Sequence, residues 1–108
     1  MRVQFRGWDC YAVPGKMYFN SRIAIPLQDP ETGEPIATAS VNIADDDVPM
    51  EPNEVFIKDY SENEGMVDAL IAAGIINPDP VKKIKTGFVE VSSYYLTDEA
   101  YSYLTETK

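Results

Sequence analysis

The sequence predicts an α+β fold with a mostly antiparallel β-sheet, one main helix over about residues 61–73 packed on a face, and a short C-terminal helix. Three observations carry this. Several strand-like segments run together before any helical one. The apolar period is close to two over residues 17–27 and 36–44. No strand–helix–strand unit repeats, so nothing calls for a parallel sheet. The 108 residues suit a single domain spanning 1–108, and 44% hydrophobic residues are enough for a modest core.

The elements follow in order. In residues 2–13, Val3 and Phe5 share one parity, and Trp8, Cys10 and Ala12 the other. A switch of parity at Gly7 is the mark of a β-bulge. After Pro14-Gly15, a turn signal, Met17, Phe19, Ser21, Ile23 and Ile25 alternate with Tyr18, Asn20, Arg22 and Ala24, which predicts a half-buried strand ending at Pro26. Asp29-Pro30-Glu31-Thr32-Gly33-Glu34-Pro35 has turn chemistry and joins that strand to residues 36–44 in a hairpin. A charged, Pro-broken loop over 45–53 precedes a strand at Glu54–Tyr60.

Ser61 and Glu64 match a capping box, opening a helix with Met66, Val67, Leu70, Ile71 and Ala73 as its apolar stripe and Gly74 as its stop. Residues 81–96 hold one or two strands, the best at Phe88–Tyr95. Thr97 caps the terminal helix, with Tyr101 and Leu104 on its buried side. The expected core is Val3, Phe5, Phe19, Ile23, Ile25, Val41, Ile43, Ile57, Met66, Leu70, Val89 and Val91.

The composition argues against an enzyme. Histidine is absent and Cys10 is the sole cysteine, so no Ser–His or Cys–His nucleophile can be assembled and zinc lacks its usual donors. Cys10 follows Asp9, which raises a thiol pKa, and reads as a small buried hydrophobe. The glycines stand singly, without a phosphate cradle. Asp45-Asp46-Asp47 with Glu51 and Glu54 could offer oxygens to a hard cation, but consecutive residues converge poorly and the EF-hand spacing is missing. No metal and no cofactor are expected. Alternation at the N-terminus does not resemble a signal peptide, and no apolar run has the length of a membrane helix, so a cytoplasmic protein is expected. With a net charge of −9, neither nucleic acid nor an anionic membrane is an expected direct partner.

The charge is concentrated. Residues 28–68 hold twelve acids and one base, Lys58, a net of 1 − 12 = −11, against 8 − 6 = +2 for the rest. Solvated loops and helix caps explain part of this excess. The functional expectation is an acidic face that meets a basic partner surface, with Asp45, Asp46, Asp47, Glu51, Glu54, Asp59, Glu62 and Glu64 as the contact set. Lys82-Lys83-Ile84-Lys85 reads as a strand edge kept from aggregating by its lysines. The alternative expectation is a protein–protein module or homodimer working through an apolar, tyrosine-rich sheet edge. Tyr94, Tyr95, Tyr101 and Tyr103 would turn half their number outward as anchors.

The string Ile57-Lys58-Asp59-Tyr60-Ser61-Glu62-Asn63-Glu64-Gly65-Met66, the later Ala73-Gly74-Ile75, and Thr86-Gly87-Phe88-Val89-Glu90-Val91 resemble a family of small proteins of unknown function encoded by bacteriophages and bacterial mobile elements. The similarity covers residues 54–92 and brings no catalytic residues. It implies an accessory protein that binds host machinery. Acidic proteins from that context include nucleic-acid mimics, which implies a host defence complex as the basic partner.

Overall fold

The computed structural model describes residues 1–16, 22–43 and 50–106. Asp45–Asp47, the predicted core residue Phe19 and residues 17–21 of the predicted 17–27 strand lie outside them. The fold is α+β, with antiparallel pairing throughout the described ladders.

The first hairpin joins β1 (Arg2–Phe5) to β2 (Trp8–Ala12), with Val3 opposite Cys10 and Phe5 opposite Trp8. This corrects the expected bulge. Arg6 and Gly7 both have positive φ (52° and 84°), the signature of a two-residue type I′ turn, whose twist suits a tight hairpin. The parity switch at Gly7 is the chain reversing direction. Short strands β3 (Gly15–Lys16) and β4 (Ile23–Ala24) pair with each other.

The expected second hairpin is present in a shorter form, as β5 (Pro26–Gln28) and β6 (Pro35–Thr38), and Pro26 opens β5 where the sequence predicts that it ends a strand. Its turn is organised by Asp29, whose Oδ1 accepts from the amides of Glu31 (2.8 Å) and Thr32 (3.0 Å). Those bonds hold the Asp29 carboxyl below its ordinary pKa. The strand order β1-β2-β5-β6 leaves β6 on an edge.

Beyond β6 the chain crosses to a second sheet. The Ala39 amide still bonds Ile25, but the Ala39 carbonyl accepts from Lys58, and the Val41 amide donates to Phe56. Residues 39–41 therefore line one side of β7 (Glu54–Ile57), which pairs on its other side with β9 (Val89–Tyr95). The outer strand of this sheet is β8 (Lys82–Thr86), joined to β9 through a Gly87-Phe88 turn. The expected lysine-rich edge is thus an edge.

The main helix differs from expectation. Residues Ser61–Asn63 form a 3₁₀ turn, and the α-helix α1 covers Met66–Ala72. Gly65, at φ 95°, separates the two, so Ser61 and Glu64 form no capping box. The Asp59 carboxylate instead accepts from the Val67 amide (3.1 Å), satisfying one of the unpaired donors at the start of α1. Asp59→Ala is expected to cost about 1 kcal/mol in urea unfolding, in line with loss of a cap. The C-terminal helix, α2 (Asp98–Glu106), is the longer one. Thr97 caps it as expected, accepting from the Ala100 amide at 3.2 Å while donating to the Gly74 carbonyl.

The four-stranded and three-stranded sheets, the β3–β4 pair and both helices bury residues in one cluster, including Val3, Phe5, Ile23, Ile25, Leu27, Ile57, Met66, Leu70, Leu96 and Ala100. Eight of the twelve expected core residues are buried. Val41, Ile43 and Val89 are half-buried instead, because Val41 and Ile43 follow the crossing of the chain and Val89 adjoins a hairpin tip. All four residues of β7 are buried, so this strand is covered on both faces.

Candidate functional site

Glu54 leaves the predicted contact set. It is 2% exposed and lies on the face of β7 that also carries Phe56. One carboxylate oxygen accepts from the Glu51 amide (3.0 Å). The other takes the Ser93 hydroxyl (2.5 Å) and lies 3.3 Å from Lys82 Nζ. Register places Ser93 directly opposite Lys82 and diagonal to Glu54, which stands opposite Tyr95, so the three polar groups meet across β7, β9 and β8. Burial works to raise the Glu54 pKa, but the hydrogen bonds and Lys82 outweigh it and hold the group below its ordinary value. This carboxylate holds the sheet together and has no oxygen left for a partner.

The remaining described members are all exposed but divide between two places. Glu51 precedes the start of β7, whereas Asp59, Glu62 and Glu64 follow its end, with the strand between them. Asp59 serves as the cap already described. Glu62 pairs with Lys58, which lowers the Glu62 pKa and raises that of Lys58. Lys58 also lies 5.5 Å from the centre of the Tyr60 ring. Asp45, Asp46 and Asp47 are outside the described residues. Counting the whole 28–68 window, nine of its twelve acids are described (12 − 3 = 9). Seven of these are exposed: Glu31, Glu34, Glu51, Asp59, Glu62, Glu64 and Asp68.

Two adjoining grooves flank the 3₁₀ turn, a feature that sequence reasoning missed. One, of about 530 Å³, is lined by Phe5, Arg6, Trp8, Pro35, Ile36, Ala37, Glu62 and Asn63. The other, of about 420 Å³, continues along residues 36–42 to Lys58 and shares Ile36, Ala37, Glu62 and Asn63. Asn63 is buried between them and donates to the Thr38 carbonyl at 2.7 Å, so its amide docks the turn on β6. Arg6 reaches the Glu62 carbonyl from the other side at 3.3 Å. Trp8 stands 62% exposed on the groove wall. Its place one residue past a Gly turn was the available sequence signal, since a hairpin tip carries side chains beyond the core.

None of the four C-terminal tyrosines is fully exposed. Tyr94 is buried against the core, opposite Val55, and burial raises its pKa. Tyr95, Tyr101 and Tyr103 are half-buried. The large exposed hydrophobics among the described residues are Trp8 and Phe88, each at a hairpin tip. Cys10 is fully buried, and that burial, followed by Asp9, raises its pKa, as expected for an unreactive thiol.

Among the described residues no three His, Cys, Asp or Glu side chains are placed to hold a metal ion. No helix among them is long and apolar enough to cross a membrane. Comparison with models of known protein families, with characterised proteins and with solved structures finds no match to this chain.

Proposed function

We propose that this chain is a non-enzymatic binding protein whose acidic surface occupies a basic surface of a partner protein or nucleoprotein complex. The observation that carries this reading is the excess of exposed acids: seven in the described part of the 28–68 window, against Lys58 as its one base. Such a surface speeds encounter with a basic partner and selects it over acidic ones. Glu51, Glu62 and Glu64, with Asp45–Asp47, form the contact set. Asp59 contributes charge while capping α1. The resemblance over residues 54–92 adds a context: a phage or mobile-element protein, acting in the cytoplasm, that inhibits a host nucleic-acid-binding defence complex by presenting a nucleic-acid-like face.

Affinity capture from a bacterial extract tests this. The expected partner is retained at low salt and released as salt screens the contact. It is lost when Asp45, Asp46 and Asp47 are all changed to Lys, with the circular dichroism of the protein unchanged. Retention by that variant at low salt contradicts the proposal.

A second reading is favoured by the groove beside β6. Exposed Trp8, together with Phe5 and Ile36, offers an apolar surface at the edge of the four-stranded sheet. On this reading the chain is a protein–protein module driven by apolar contact rather than by charge.

A further inference from the structure

We infer that the groove walled by Trp8 receives Phe88 from a second copy of this chain, reciprocally, in a two-fold homodimer; this rests on the second reading above. Phe88 is fully exposed at the tip of the β8–β9 hairpin, a projecting aromatic knob. The groove is concave, has about 530 Å³ of space, and is walled by Phe5, Trp8 and Ile36. Knob and groove thus account for both large exposed hydrophobics among the described residues.

Placement favours a reciprocal contact. Ile57, the last residue of β7, pairs with Ser92, so the tip of the β8–β9 hairpin extends beyond that end of β7 by roughly 10 Å. The 3₁₀ turn that forms one groove wall also follows that end of β7. Knob and groove therefore lie toward the same end of the three-stranded sheet, as an isologous interface requires. Charge is balanced at both parts of the contact: Lys85 stands opposite Glu90 beside the knob, and the groove lining carries Arg6 and Glu62.

The contact has a salt response opposite to that of the acidic face. Each copy carries −9, so salt screens their mutual repulsion and strengthens an apolar dimer. Trp8 is the sole tryptophan, so its emission reports burial of the groove without a label.

Sedimentation equilibrium and Trp emission across protein concentration, at low and high salt, test the inference with the full chain. The expected result is a dimer that tightens with salt and a blue shift of Trp8 on association. Phe88→Ser should weaken the dimer by at least about 100-fold, since two rings lose their burial, and leave the fold intact because Phe88 makes no part of the core. A chain that stays monomeric up to about millimolar concentration overturns the inference, whatever the outcome of the partner capture. Self-association abolished by Trp8→Ala but retained by Phe88→Ser also overturns it, and leaves the groove standing as a protein-binding surface.

Discussion

Glu54→Ala is expected to lower folding stability by about 2–4 kcal/mol, a large fraction of what a domain of this size possesses. The loss arises because the variant leaves the Ser93 hydroxyl and the Glu51 amide without their acceptor and Lys82 without its counter-charge. The same network makes stability depend on pH. The folded-state pKa of Glu54 lies below its ordinary value of 4.5, so its stabilisation is fully present above that value and is lost as pH falls through the folded pKa. Glu54→Gln keeps the shape and removes the titration. Urea unfolding from pH 7 to pH 3 should show the gap between wild type and Glu54→Gln closing as the solution becomes acid. A gap that is absent at pH 7, or that widens toward pH 3, contradicts this role.

Leu70→Ala is the second large effect, expected at about 2–5 kcal/mol. Leu70 is fully buried, and with Met66 it is how the seven-residue α1 enters the common core. A helix this short is not stable alone, so its docking depends on those two side chains. Ala72→Ser, on the exposed side of α1, provides the control and should cost less than about 1 kcal/mol. Equal midpoints for the two variants in urea would show that Leu70 does not anchor the helix.

What the sequence made legible was what local chemistry decides. The Asp29–Glu34 turn was readable because Asp and Gly satisfy turn geometry within six residues. Thr97 was readable as a cap for the same reason. At Gly7 the sequence showed that the alternation breaks. Deciding between a bulge and a reversal required knowing that Val3 faces Cys10, a pairing that no local pattern specifies. The capping box failed because its pattern at Ser61 and Glu64 takes no account of Gly65 in the left-handed region, nor of Asp59 reaching the Val67 amide from eight residues away.

The site was legible in composition and less so in arrangement. The acidic excess of residues 28–68 is a property of the sequence, and the described acids there are mostly exposed. An acid next to a loop is ordinarily solvated, and on that ground the sequence places Glu54 among them. Its shared parity with Phe56 was the contrary sign, but Ser93 and Lys82, which make its burial tolerable, are 39 and 28 residues away along the chain. The groove was invisible for a similar reason. Its walls come from the β1–β2 tip, β6 and the 3₁₀ turn, which only the tertiary fold brings together.

If an acidic surface carries the function, the affinity for the partner depends on salt. The partner captured from the bacterial extract should bind the purified wild-type chain with an affinity that falls steadily between roughly 0.05 and 0.5 M salt. The chain carrying Asp45→Lys, Asp46→Lys and Asp47→Lys together should not bind it at any point of that range. An affinity that stays flat as salt rises, and that the charge-reversed chain retains, would show that the acidic surface does not carry the function.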